Sequence, residues 1–241
     1  MPKLFRPLVI ILAIILVAIA GIFFLRQPDL SPTASTAHAH YYKDPNIDIS
    51  KIALKVFYVA AANQKIANTW QLEINKAVQD ISEFHSIQFH GLSTIKAEIY
   101  PEPVKLSHDS TYYDTENTNF GNPEGLRRII PELENNYEEF LKTKAQEFRA
   151  IAIIYEGVGA SGSSGAMILS RTYLSDPQYA TDGSAIFYHE FAHTYGLPDR
   201  FDPVTNIPQT NDIMGSGRFK PIATDYLDPS FDVDLGLSKN P

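Results

Sequence analysis

Cysteine is absent from the 241 residues, which excludes disulfides, thiolate metal ligands and any cysteine-based switch. The fold must rest on its apolar core and any metal it binds, and the chain carries no mark of its redox compartment. Positive charge is in short supply too. With 28 acidic and 20 basic residues the formal net charge is −8, a balance that disfavours nucleic acid and anionic lipid surfaces as partners. No internal repeat is visible. The glycine-serine stretch at residues 157–165 lacks the Gly-Lys-Ser/Thr ending of a phosphate-binding loop and leads into a strand, so it reads as a loop near a cleft. At 44% hydrophobic content, the length suits one substantial core with a tail better than two domains.

Long uncharged apolar sequence is confined to residues 8–25, near the minimum length for a helix that crosses a bilayer. Lys3 and Arg6 precede it, so the positive-inside bias puts the following chain on the far side. Residues 1–26 are therefore expected to be a single N-terminal transmembrane anchor or a cleaved signal sequence, with Ala18-Ile19-Ala20 as a small-x-small site. The uncleaved anchor is favoured because Ile22-Phe23-Phe24-Leu25 extends the run past that site. Both readings export the domain. Setting aside these residues, which hold Lys3, Arg6, Arg26 and no acid, leaves a net charge of −11. Residues 27–47, rich in Pro, Ser, Thr and Ala, read as a flexible linker, with His38 and His40 solvated for want of a further ligand nearby.

Residues 48–241 make up the expected domain. A β-branched and aromatic run at residues 51–60 predicts a strand, and Trp70, Ile74, Ala77, Val78 and Ile81 predict a helix over 70–84. A second strand follows at 93–100, then an exposed polar loop at 107–121. Helical spacing resumes at 125–148, with Pro131 placed to start the main segment. The apolar run at 150–155 is the expected central strand, and 166–173 another strand. A helix from Asp182 or Ser184, either a suitable N-cap, runs to Tyr195, with Ile186, Phe187, Phe191 and Ala192 facing the sheet. Asp225, Asp228, Asp232 and Asp234 make an acidic tail without the ligand spacing of a calcium loop, read as solvated.

On the last helix stands His189-Glu190-Phe191-Ala192-His193, continued by Gly196 and Asp199 as H-E-x-x-H-x-x-G-x-x-D. Imidazoles at i and i+4 share one helical face and can share one metal ion. Glu190 is placed to deprotonate a water activated by that metal. Gly196 can take a positive φ, ending the helix and turning the chain so that Asp199 approaches the ion. Three protein ligands would leave one position open, as a catalytic zinc site requires. Asp202 competes with Asp199 for the third place; if Asp199 ligates, Asp202 is a turn residue or one that hydrogen-bonds a ligand from behind.

These residues resemble the metzincin metalloproteases, whose helix motif is followed by a tight turn carrying a methionine beneath the metal. Asn211-Asp212-Ile213-Met214-Gly215 looks like that turn, and Asp199 in place of a third histidine resembles the aspartate-type members such as snapalysin, with Gly-Leu-Pro-Asp also similar to the immune inhibitor A peptidases. The match covers residues 186–217 and leaves the N-terminal half without diagnostic residues. The resemblance implies an α+β fold, a mixed sheet packed on an active-site helix. It also implies a zinc endopeptidase with His189, His193 and Asp199 on Zn2+, Glu190 as general base and a protein or peptide as substrate. By the same analogy, strand 166–172 is either the sheet edge that receives the peptide or an ordinary interior strand. Tyr226 is a candidate oxyanion donor, and Tyr195 packs the helix's apolar face. Two alternatives stay open: a non-catalytic zinc-stabilised binding domain, and a zinc amidase acting on cell-wall peptides.

Overall fold

A six-stranded sheet organises the computed structural model, which describes residues 37–114, 121–202 and 204–238. The apolar run at 8–25 and residues 27–36 of the expected linker lie outside the described residues. No helix among the described residues is long and apolar enough to cross a membrane.

Strand β3 (Lys51–Ala60) pairs in parallel with β4 (Thr94–Ile99) and β6 (Phe148–Tyr155), and the short β5 (Val104–Lys105) joins its far end. β6 pairs in parallel with β8 (Ala166–Ser170), and β7 (Ala160–Ser163) closes the sheet antiparallel to β8, giving the order β4-β3-β6-β8-β7. Parallel strands need crossovers, and the helices that supply them cover both faces. Side chains alternate accordingly. Ile52, Leu54, Val56 and Tyr58 of β3 pack with helix α1 (Trp70–Gln88), while Phe57 and Val59 face the other way onto helix α3 (Pro123–Asn136). The sheet is mixed, as expected, but helices lie on both sides of it in alternating chain order, a layered α/β arrangement in place of the α+β segregation.

α1 buries Trp70, Ile74, Ala77, Ile81 and Phe84, one stripe at alternating spacings of four and three. His85 extends that stripe into the interior. Its Nδ1 is 2.9 Å from Tyr188 Oη and its Nε2 is 2.8 Å from Ser93 Oγ, whose own proton goes to Ile49 O. Ser93 must then accept from Nε2–H, and Nδ1 must accept from Tyr188, so the neutral ring satisfies every partner. Tyr188 Oη also lies 2.9 Å from Tyr195 Oη, and this chain ties α1 to helix α6 (Gly183–Thr194).

Several expectations are corrected. Residues 37–47 are not free linker: β1 (His40–Tyr41) and β2 (Asp44–Asp48) form a hairpin, Ala39 is buried, and Tyr42 N–H donates to Tyr195 O. The compact unit begins at Ala37. In the 107–121 stretch, helix α2 (Ser110–Tyr113) buries Tyr113. Pro131 lies inside α3; the helix starts at Pro123, where the buried Asn122 accepts from Gly125 N–H at 2.9 Å. A capping Asn followed by Pro at the first helical position is a stronger start signal than Pro131. That helix ends at Asn136, a short α4 (Glu138–Leu141) follows, and Phe148 already belongs to β6. The acidic tail is not solvated either, since Leu227, Phe231 and Leu235 bury themselves in the main core.

Burial holds the His85 pKa down at about 3, well below an unfolded value near 6.5. The folded state thus resists protonation, so this group's stabilising contribution is complete above about pH 6.5 and is lost as pH falls toward 3, by at most about 1.4 kcal/mol per pH unit. Denaturant titrations of the unaltered chain and His85→Gln across that range are expected to converge as the solution is acidified; a constant difference would contradict this.

Candidate metal centre

α6 runs along the sheet beside β7 and carries the histidines on the side facing a cleft. Of the two expected N-caps, Asp182 holds the position, though its side chain makes no capping bond. Gly196 has φ +95°, as the motif requires, and a Cβ there would meet the Tyr41 ring at 2.4 Å. The hairpin at the start of the compact unit therefore packs directly on the turn that redirects the chain toward Asp199.

His189 Nδ1 is 2.9 Å from Ile213 O, and His193 Nδ1 is 2.7 Å from Leu197 O. A backbone carbonyl can only accept, so each ring carries its proton on Nδ1 and offers the Nε2 lone pair to the cleft. Asp199 Oδ1 lies 3.2 Å from His189 Nε2 and 3.7 Å from His193 Nε2. Donor atoms about 2.0–2.1 Å from a shared zinc at tetrahedral angles stand about 3.3–3.4 Å apart. Both Asp199 separations lie within about half an ångström of that span. His189, Glu190 and His193 also bring one ligand atom each within 4.8 Å of one another. Asp199 Oδ1 approaches both Nε2 atoms from outside the helix, and Glu190 lies on the cleft wall beside them.

Asp202 is spent elsewhere: its Oδ1 accepts from the N–H groups of Val204 at 3.0 Å and Thr205 at 2.7 Å and from the Thr205 hydroxyl at 2.9 Å. Tyr226 does not line the cleft; it is exposed, and its carbonyl accepts from Ile213 N–H at 3.0 Å. Met214 is fully buried in the main core, and its carbonyl accepts from Arg200 N–H. Asp212 braces the same turn, with Oδ1 receiving the Thr210 hydroxyl and Oδ2 the Asp228 N–H.

The cleft, of about 390 Å3, is lined by the metal-site residues, by Gly121, Ala160, Ser161 and Gly162, and by Tyr173, Tyr179, Phe201 and Arg218. Sequence reading missed most of the second group. β8 is an interior strand; the edge is β7, inside the stretch expected to be a loop, where Gly and Ser conceal a strand that pairing with β8 creates. Gly162 faces α6 so closely that a Cβ would meet Glu190 O at 2.1 Å. Tyr173 was expected in a strand, but β8 ends at Ser170 and helix α5 (Thr172–Ser175) swings it toward the cleft.

Electrostatics suit a cation. Burial, and then its neighbour His189, push the His193 pKa below the ordinary histidine value. For Asp199, burial works to raise the pKa, but the His189 hydrogen bond and the nearby His193 and Arg218 outweigh it, and the carboxyl stays below its usual value. His193 is thus biased toward its neutral form and Asp199 toward its carboxylate, the protonation states a metal ligand needs.

No protein-family model matches this chain, and no curated protein does. Among solved structures it is similar to OgpA from Akkermansia muciniphila, both as the wild type (13% identity, TM-score 0.51, over 76% of this chain and 59% of that one) and as a catalytically inactive form in complex with an O-glycopeptide substrate (14% identity, TM-score 0.51, over 77% and 60%). It also aligns with metalloproteinase-II from Bacteroides fragilis (14% identity, TM-score 0.44, over 84% and 58%) and archaemetzincin from Methanopyrus kandleri (15% identity, TM-score 0.43, over 78% and 96%). The chain spans about 60% of the length of OgpA, and what the two share is the fold. The class defined so far is a mixed α/β domain of that fold carrying a His-Glu-His group able to hold a metal ion.

Replacing Gly162 with Ala would force backbone apart at the contact with Glu190. Such overpacking costs about 1–3 kcal/mol, so the variant should unfold at lower denaturant concentration; unchanged stability would contradict the close contact.

Proposed function

We propose that this protein is a zinc-dependent metallopeptidase. His189, His193 and Asp199 would hold the zinc ion, and Glu190 would act as general base. The observation that carries this reading is the convergence of Asp199 Oδ1 on two Nε2 atoms whose rings are fixed by backbone carbonyls. When bound, zinc supplies Lewis-acid polarisation of a carbonyl and of an attacking water.

The chain's own residues do the rest. Glu190, 8% exposed and on the wall of the cleft, accepts the proton of the attacking water and returns it to the leaving amine. β7 is hydrogen-bonded to β8 on one side and stands last in the sheet order among the described strands; Ala160 O is taken by Asn122 N–H, so an extended peptide would align along the remaining edge toward Gly162. The peptide chain is the substrate class that best fits an edge strand beside a metal, and the O-glycopeptide held by OgpA is in keeping with it as an analogy of fold. The basic residues before the apolar run at 8–25 support an extracytoplasmic placement, anchored or secreted.

Metal analysis and hydrolysis of a casein-type substrate test the reading together. Glu190→Gln should retain about one zinc per chain and lose at least about 10²-fold in kcat; full activity in that variant would refute the assigned base. Asp199→Ala should weaken zinc binding at least about tenfold, while Asp202→Ala, which cuts only turn hydrogen bonds, should leave zinc affinity unchanged. The reverse pattern would transfer the ligand role to Asp202.

A further inference from the structure

Arg218 follows the turn at Met214 and extends its guanidinium into the cleft, with Nη1 3.0 Å from His189 Nε2 and 4.0 Å from Asp199 Oδ1. The rings of Phe201 and Phe219 lie against it, with centroids 4.1 and 4.9 Å from the guanidinium carbon, and they limit the directions in which it can move. The side chain is only 23% exposed, and its Nε has no hydrogen-bond partner among the described residues. Asp199, at the 4.0 Å limit of an ion pair, compensates this partly desolvated cation only in part, and the unused donor remains free for an incoming anion.

The His189 Nε2 lone pair can face a metal ion or an Nη1–H, but not both, because Nδ1 already carries the ring proton. A metal on His189 therefore moves the guanidinium off that nitrogen. The two phenyl rings against the guanidinium limit how far it can swing, so its positive charge would stay beside the cleft. Tyr226, the expected source of an oxyanion donor, is outside the cleft, and Arg218 is the one lysine or arginine among the described residues that line it.

We propose that Arg218 is the residue that receives the oxyanion: its guanidinium donates hydrogen bonds to the scissile carbonyl oxygen as that oxygen gains negative charge. The assignment rests on the peptidase reading above. Water oxygen bonds to the carbonyl carbon, the carbonyl π pair moves onto its oxygen, and Glu190 takes one water proton. When the C–N bond breaks, the oxygen pair re-forms the carbonyl, the bonding pair leaves with nitrogen, and Glu190 passes its proton to the amine. The remaining water proton leaves from the product carboxyl to solvent. Arg218 keeps its protons throughout, so its contribution is purely electrostatic and grows as the transition state is approached.

The test measures calorimetric binding to the zinc-loaded full chain in the Glu190→Gln background, where turnover is removed. Two probes are used: a phosphinic peptide, whose tetrahedral anionic centre copies the attacked carbonyl, and the matching C-terminally amidated peptide. Arg218→Met is expected to keep its zinc, with affinity equal or higher after losing a neighbouring cation. It should bind the phosphinic peptide about 10²-fold more weakly and the amidated peptide within about threefold of the parent. Arg218→Lys should recover part of the phosphinic loss. Equal losses for both probes would make Arg218 a ground-state anchor, and no loss for the phosphinic peptide would put it outside the reacting centre; either result overturns the proposal. If the Met variant takes up no zinc, Arg218→Gln is measured by the same criteria. Failure of the otherwise unaltered zinc-loaded chain to hydrolyse any peptide would sink the peptidase reading instead, since the ratio of probe affinities needs no turnover.

Discussion

Imidazole has two nitrogens, and the hydrogen bonds from His189 Nδ1 to Ile213 O and from His193 Nδ1 to Leu197 O decide which of them faces the cleft. The two carbonyls reach the helix from different places. Leu197 follows the left-handed turn at Gly196, whose positive φ lets the chain double back on α6. Ile213 belongs to the turn before Met214, braced by the Asp212 carboxylate and by the Tyr226 carbonyl. The segment after the helix therefore acts as a clamp that sets the tautomer of both rings, and its burial through Leu227, Phe231 and Leu235 explains why it is folded onto the domain.

A second constraint couples the helix to the sheet. With no Cβ at Gly162, β7 approaches the α6 backbone at Glu190, which brings the sheet edge and the metal ligands to the walls of one cleft. A bulkier residue would widen the gap between the edge strand and the histidine face of α6, and under the proposed function a peptide aligned on that edge would be carried away from the centre. α1 and α6 pack on one face of the sheet and α3 on the other, covering both sides of the strands behind this contact.

Much of the scaffold was legible in the sequence because its signals are local. The strand at Lys51–Ala60 falls on the residues its β-branched run marks, and α1 runs from Trp70 past Phe84 to Gln88 before the positive-φ residues His90 and Gly91. The central position of β6 followed from an apolar run buried on both faces. The motif also located the helix, the positive φ at Gly196 and the approach of Asp199 to both imidazoles. What escaped depends on tertiary contact. β7 has poor strand propensity and exists because β8 and α6 give it partners, and Arg218 reaches the centre only because a turn and two phenylalanines aim it. The hairpin at residues 40–48 was hidden by a composition typical of linkers, although Ala39 and Tyr41 pack on the domain.

Charge closes the account. In the proposed zinc site, two imidazoles and one carboxylate would leave a bound divalent cation with a net charge of about +1, less acidifying toward water than three neutral histidines would be, and Arg218 would add positive potential beside it. The most direct measurement is X-ray absorption at the zinc edge on the metal-loaded protein. The expected result is two imidazole nitrogens at about 2.0–2.1 Å with the remaining donors oxygen, and loss of one oxygen donor in Asp199→Ala. Three imidazoles, fewer than two, or an unchanged spectrum in that variant would contradict the assigned centre.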